Sequence, residues 1–468
     1  MVFSSCTFLF LFLPAVLGIY ALTPRDHRNY VLLISSFLFY GFGEPRYLSI
    51  IALVILSTYC GAILIGKTKP QYQKLILALT ICFNLSFLIF FKYTNFILEN
   101  ISAIFQCKAD FIQVVMPIGI SFYTFQAISY LIDVYRKEVP AQRKLQDLAL
   151  YIVLFPQLVA GPIVKYHDIN QELEKREFLF SNLIEGSKRF ILGLGKKVIL
   201  ANSCGVIADA VFMTSVDQLN IVHTWLGAIA YSLQLYYDFS GYSDMAIGLG
   251  HMFGFRFKEN FNYPYESRSI TEFWRRWHIS LSTWFKEYLY IPLGGNRVGK
   301  ARNLLNLLIV FLVTGIWHGA AWTFILWGLL HGAAILFEKI TNWHKAGAVW
   351  WVRGIQRFYT LFIVVIAWVL FRSESLAYAW DFLKKMLGFY PTEYPVFSIF
   401  FKGNIWELIM LAIAGIFAIS FFKNKAVQFS EKREYMYLVY NLFLLSVFVL
   451  SVLLIVSSTY NPFLYFRF

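Results

Sequence analysis

From Leu304 to Phe337 the chain carries no Asp, Glu, Lys or Arg, and a second such run extends from Tyr435 to Phe466. A helix needs about 20 mainly apolar residues to cross about 30 Å of hydrocarbon, so each run is long enough to span a bilayer. Composition extends the point to the whole chain: 58% of its 468 residues are hydrophobic and only 15% are charged. Soluble domains carry about 25% charged residues and scatter their apolar ones. These features predict an all-α, polytopic membrane protein and exclude an ordinary soluble enzyme.

Further uncharged runs occupy Met1–Pro24, Asn29–Gly43, Tyr47–Gly66, Leu75–Phe91 and Phe111–Ile132. The loops between them alternate in charge. One set holds Arg25, Arg28, Lys67, Lys69, Lys74, Arg136, Lys137, Arg143 and Lys144, and the other only Arg46, Lys92 and Lys108. Basic loops favour the cytoplasmic side, which places the N-terminus outside. The first run lacks a basic leader and a small-residue cleavage site, so it reads as a retained span. The net charge of +14 then reads as loops held against an anionic leaflet, with membrane lipids and not nucleic acid as the partner.

The middle is less regular. Leu148–Val164 contains Pro156, Gly161 and Pro162, which suggests a bent or re-entrant segment. Such backbone survives at membrane depth only where protein or a water-filled cavity satisfies it. Ser181–Asp209 mixes apolar and basic residues and reads as amphipathic or partly buried helix; Gln218–Tyr237 is a span; 256–302 is the longest basic region. Spans return at about 303–317, 320–338, 354–372, 405–422 and 436–458. They place the basic loops 286–302, 339–353 and 423–434 inside and the C-terminus outside. The five cysteines show no ligand spacing and predict neither a disulfide framework nor a metal site. No internal repeat or soluble domain is evident.

Polar residues inside a membrane are costly and mark pathways or sites. Three places stand out. In Thr314–Trp322, small residues permit close helix packing, and His318 falls about 22 Å from a helix start near Asn303 at 1.5 Å per residue, framed by Trp317 and Trp322. A buried histidine bonded to a neighbouring helix is the plain structural alternative, and it is the preferred reading of His331. In Glu272–Lys286, helical spacing puts Trp274, Trp277, His278, Leu281 and Phe285 on one face, with Arg275 and Arg276 elsewhere. An interfacial helix explains that pattern too, although the guanidinium groups could instead receive phosphates. In Tyr236–Met245, Asp238 and Asp244 end an apolar run at Gly241, a helix break, and fit pairing with arginines of the basic region better than a catalytic role. Walker, HExxH, GxSxG and dinucleotide fingerprints are absent.

The order WRRWHISLSTWFKEYLYIPLGGNR (Trp274–Arg297) followed by TGIWHGAAW (Thr314–Trp322) resembles the membrane-bound O-acyltransferase family. FPQLVAGPIVKYHD (Phe155–Asp168), YYDFSGYSDMAIGLGHMFGFRFKENFNYPY (Tyr236–Tyr265) and the terminal NPFLYFRF (Asn461–Phe468) agree, so the likeness runs nearly end to end. It points to the bacterial branch that acetylates alginate, with a teichoic acid D-alanylating branch as a second relative. Lys165 and His251 stand where relatives often carry Arg.

The resemblance implies one domain over 1–468: N-terminal spans (1–145), a catalytic middle (146–302) and C-terminal spans (303–468). About 11–13 membrane helices, re-entrant and amphipathic segments included, would surround a central tunnel. It implies His318 as the catalytic residue with His278 along the same tunnel, acetyl-CoA as donor with no permanently bound cofactor, and no metal. On their charge alone, Arg275 or Arg276 would attract the donor phosphates. It further implies a bacterial inner membrane location, an exported polysaccharide as acceptor (alginate first, then peptidoglycan, cellulose or teichoic acid) and a periplasmic partner acetyltransferase. A solute transporter predicts repeated halves, which the sequence lacks; a secretion scaffold would tolerate loss of His318.

Overall fold

The computed structural model describes residues 1–106, 113–343, 349–389, 405–420, 434–458 and 460. Among these, helix dominates and no β-strand occurs. Among the described residues, seven helices are long and apolar enough to cross a membrane: Pro45–Lys67, Pro70–Phe105, Phe180–Phe212, Lys300–His318, Trp322–Thr341, Trp350–Arg372 and Met436–Ser457. Phe8–Leu22 and Ile405–Phe417 are shorter apolar helices. The chain is a multi-pass membrane protein. The terminal run 461–468, Lys108 and most of the loop 423–434 lie outside the described residues.

Two compact units emerge: residues 1–190 with 243–258, and residues 191–242 with 259–468. In the first, α1 (Leu13–Leu22), α2 (Arg28–Gly43), α3 (Leu48–Lys67), α4 (Pro70–Phe105) and α5 (Ile120–Tyr135) follow the expected apolar runs. Pro70 opens α4 at the position where a missing N–H costs nothing. The helix then continues well beyond Phe91, to a left-handed Gln106 (φ 50°). Lys92, expected in a loop, therefore lies inside α4, buried, with its Nζ 3.4 Å from Ser121 Oγ. A lysine in a helical apolar run need not end the helix, because its long apolar stem packs along neighbouring side chains while the ammonium finds a polar atom.

The broken segment behaves as expected. α6 (Leu145–Val153) stops at Leu154, a single helical turn covers Phe155–Leu158, and every residue from Leu148 to Val164 is buried. Side chains satisfy the interrupted backbone. Gln157 Nε2 donates to Tyr151 O (2.7 Å), Tyr151 Oη to Val164 O (3.0 Å), and Phe155 N to Ser36 Oγ (3.1 Å). α7 (Tyr166–Glu174) follows.

The second unit holds most of α8 (Phe180–Phe212) and α9 (Ile221–Met252), then α10 (Ile270–Arg276), α11 (Ile279–Phe285), α12 (Lys300–His318), α13 (Trp322–Thr341), α14 (Trp350–Arg372), α15 (Leu376–Met386), α16 (Ile405–Phe417) and α17 (Glu434–Ser457). Two sequence expectations change here. Gly241 does not break a helix, since α9 runs straight through it. A Cβ there would come 2.7 Å from Gly193 O, so the glycine is a close-approach residue. The segment 272–286 is not one amphipathic helix, because α10 and α11 are separated at Trp277 and His278.

Candidate active site

The close packing that small residues permit is realised between α12 and α13. A Cβ on Gly315 would lie 2.5 Å from Phe324 O and 3.2 Å from Gly328 Cα, and one on Gly328 would collide with Phe311 O. The two backbones meet directly, and α12 ends three residues past Gly315, at His318. The His318 ring is buried and lies edge-on to Trp317 (4.9 Å between centroids), Trp327 (4.9 Å) and Phe371 (5.4 Å). Trp322, expected to frame it, is exposed instead, because it opens α13 beyond the extended Gly319–Ala321 turn. The C-terminal end of α12 presents carbonyls without helical partners, a setting that favours positive charge there.

His278 owes its position to strain. Its backbone adopts φ 43°, a left-handed conformation costing about 1–3 kcal/mol for such a residue, which persists only where surroundings over-determine it. Asn260–Asn262 supply that determination. Asn262 N donates to Arg276 O (2.9 Å), Ile279 N to Asn260 O (3.0 Å) and Ser280 N to Asn260 Oδ1 (3.1 Å). The resulting kink drives the imidazole to full burial, with Phe239 edge-on at 4.6 Å. Burial pushes the His278 imidazole down to about 3, so it stays neutral at physiological pH. Trp317, against His318, also lies 6.5 Å from His278, so one indole adjoins both histidines.

His331, set aside from sequence as structural, proves to be part of the same aromatic cluster. Trp274 Nε1 donates to His331 Nδ1 (3.3 Å), and Trp327 packs edge-on against both His331 (5.0 Å) and His318. Trp327 and His331 are four residues apart on α13, a helical-face spacing readable from sequence. Glu338, also on α13, is fully buried and caps α10: its carboxylate accepts from Ile270 N, from Thr271 N (3.0 Å) and from Thr271 Oγ1 (2.7 Å). In the sequence, Glu338 is merely the first charge after the uncharged run Leu304–Phe337. Nothing in its spacing announced a cap for a helix far back in the chain.

The remaining candidates divide. Arg275 is exposed, whereas Arg276 is held by Glu272 (2.9 Å) and, more distantly, by Glu266 (4.0 Å). The two carboxylates of α9 do pair with cations, but with those of α8: Asp238 with Lys197 (2.8 Å) and Asp244 with Arg189 (2.6 Å). In the first unit, one ligand-type atom each from Asp133, Glu138 and His167 lie within 4.8 Å of one another, a grouping the sequence did not suggest. His167 Nδ1 is 3.2 Å from Asp133 Oδ2 and its Nε2 3.3 Å from Asp168 Oδ1, while Lys258 Nζ pairs with Asp168 at 2.5 Å. These contacts, the Asp133 bond foremost, raise the His167 pKa above its ordinary value. The described cysteines Cys6, Cys60, Cys82 and Cys204 are free thiols.

Comparison with known proteins bears on what this arrangement does. Residues 143–373 match the profile of MBOAT, the membrane-bound O-acyltransferase family. That stretch includes Asn260, His278, His318, His331 and Glu338. The chain is 40% identical, over its full length and that of the relative, to the "Probable alginate O-acetylase AlgI" of Pseudomonas putida. It is 45% identical to the protein of the same name from Azotobacter vinelandii, over 83% of this chain and 78% of the relative. With the "Peptidoglycan O-acetyltransferase" of Helicobacter pylori it shares 38% identity over 83% of this chain and 80% of the relative. Its acyltransferase motifs, its helical membrane architecture and these likenesses over most of the chain agree: the chain belongs to the membrane-bound O-acyltransferase family and is an O-acyltransferase.

Proposed function

We propose that this protein moves acetyl from cytoplasmic acetyl-CoA to an exported polysaccharide, alginate-like in the leading case, with His318 as the general base. The observation that carries the reading is the Trp317 indole adjoining two buried histidines, His318 at 4.9 Å and His278 at 6.5 Å, within the family's motifs. A base is what the chemistry requires. An acceptor hydroxyl gives its proton to the imidazole as its oxygen attacks the thioester carbonyl. The new C–O bond forms, the C–S bond breaks, and the thiolate recovers the proton from the imidazolium to leave as coenzyme A. General-base catalysis of this kind contributes about 10²–10⁴-fold in rate.

His278 lies along the same path and shares the handling of that proton. The exposed Arg275 is available to attract donor phosphates as a positive charge. Arg276, already bound to Glu272, contributes less. The acceptor on the far side of a bacterial inner membrane receives the group through a periplasmic partner acetyltransferase. A second reading, acetyl transfer to peptidoglycan, is favoured by the 38% identity to the Helicobacter pylori protein so named.

The deciding experiment replaces His318 by Ala, confirms normal membrane levels, and measures acetyl ester on the secreted polymer and on peptidoglycan. Ester falls by about 10²-fold or more on one of the two while polymer export continues. Unchanged ester on both removes His318 from the mechanism. Efficient acetylation of polymer by the purified chain alone removes the partner.

A further inference from the structure

We propose that Asn260 is a positioning residue that fixes the tautomer of His278, placing the ring proton on Nδ1 and leaving Nε2 as the nitrogen that accepts a proton. This rests on the reading of His278 as a proton-handling group in acyl transfer. The argument begins with the amide of Asn260, which is fully buried. Its side-chain oxygen meets Ser280 N at 3.1 Å and Ser280 Oγ at 2.9 Å. A peptide N–H only donates, so the atom facing it is the carbonyl oxygen and the orientation of the amide is settled. His278 Nδ1 lies 3.2 Å from that same oxygen. An oxygen acceptor demands a donor, so Nδ1 carries the hydrogen. Ser280 Oγ, having given its proton to Asn260, also lies 3.4 Å from Nδ1 and offers it a lone pair. In a neutral imidazole the second nitrogen, on the opposite edge of the ring, is then the acceptor.

His331 supplies the internal contrast. Its Nδ1 faces Trp274 Nε1 at 3.3 Å, and an indole nitrogen only donates. His331 therefore accepts at Nδ1 and carries its proton on Nε2. The two buried histidines hold opposite tautomers because one is met by an amide oxygen and the other by an indole N–H.

The choice of amide has chemical content. A carboxylate at position 260 would fix the same tautomer and also raise the imidazole's proton affinity through its charge, by about 1–3 pH units at this range. Asn260 orients the ring without charging it, which keeps a fully buried histidine neutral and ready to accept. Asn260 also donates none of its backbone fold to chance: its carbonyl holds Ile279 N at 3.0 Å, so the residue that sets the tautomer also holds the strained turn.

The test compares Asn260→Asp, Asn260→Leu and His278→Ala with the wild type. Membranes carrying the full chain and its accessory proteins are given acetyl-CoA, and acceptor-dependent coenzyme A thiol release is followed from pH 4 to 9. Asn260→Asp retains the acceptor and its kcat within about threefold at its own optimum, while the acid limb, which lies below this range in the wild type, moves about 1–2 units to higher pH and enters it. Asn260→Leu lowers kcat about 10–100-fold with KM for acetyl-CoA unchanged, the loss typical when the partner that orients a functional histidine is removed. An unmoved acid limb in Asn260→Asp overturns the proposal, as does wild-type kcat in Asn260→Leu. Where Asn260→Leu fails to reach the membrane, the Asn260→Asp profile decides. His278→Ala separates the two levels of the argument. Full activity there overturns the role of His278 itself, whereas an inactive His278→Ala beside an unaffected Asn260→Leu overturns only the inference about Asn260.

Discussion

His278 and His167 show how differently one side chain is housed in the two units of this molecule. His167 sits on α7 with a carboxylate at each ring nitrogen, Asp133 at 3.2 Å and Asp168 at 3.3 Å, and its pKa is raised, the Asp133 bond contributing most. His278 is fully buried, meets an amide oxygen and a serine hydroxyl at Nδ1, is walled by Phe239 and adjoins Trp317, and is pushed down to about 3. The lesson is that carboxylate company makes an ion pair, whereas amide and aromatic company makes a neutral acceptor. Acyl transfer needs the second kind. A histidine whose proton affinity is raised by neighbouring carboxylates holds its proton more readily and has less of a lone pair to offer an attacking hydroxyl.

The comparison breaks most visibly in turnover. His278→Ala lowers acetyl transfer by about 10²-fold or more, whereas His167→Ala at equal membrane levels leaves it at the wild-type value. Equal losses in the two variants, read as acetyl ester per milligram of polymer, would abolish the distinction. Next in size is the buried carboxylate of Glu338 in the second unit. Glu338→Gln keeps one oxygen and puts an NH₂ group in place of the other, so either Ile270 N or Thr271 N loses its acceptor. The orphaned donor costs about 1–3 kcal/mol, measured as a lower thermal midpoint in detergent; an unchanged midpoint means that α10 is held by packing alone. The smallest effect is the pH response of His167. A histidine whose folded pKa is raised contributes stability that is complete below its ordinary value near 6.5 and lost as pH climbs through the raised value. The thermal midpoint therefore falls by about 1–2 °C above that window, and His167→Asn removes the dependence. A wild-type midpoint that is flat across the window breaks the His167 half of the comparison.

Much of this was legible in the chain. Apolar runs located the long helices, because burial in hydrocarbon leaves a local mark on sequence. The proline and glycines of Leu148–Val164 announced broken backbone, and the structure supplies the side chains that satisfy it. His318 and His278 were visible through their motifs. Asn260 was not, because it acts through a turn eighteen residues away in sequence, and no periodicity connects an extended strand of chain to a helix break. The break itself was hidden for a related reason: Trp274, Trp277, His278 and Leu281 match a continuous helical face, and only the pairing of 260–262 with 276–280 overrides that local preference. Lys92 erred in the opposite direction. Its charge suggested a loop, but the ammonium lies within α4 beside the Ser121 hydroxyl.

The glycine contact between α12 and α13 also bears on the size of the acyl group. Two helices that touch through main chain have no compressible layer of side chains between them, so they move as one body. Nothing at Gly315 or Gly328 can yield to make room near His318. Accommodation of a longer acyl chain then falls to the rings that face the imidazole. If His318 handles the acyl group as proposed, Trp317, Trp327 and Phe371 would gauge its chain length, with the helices as the fixed frame in which that gauge is set.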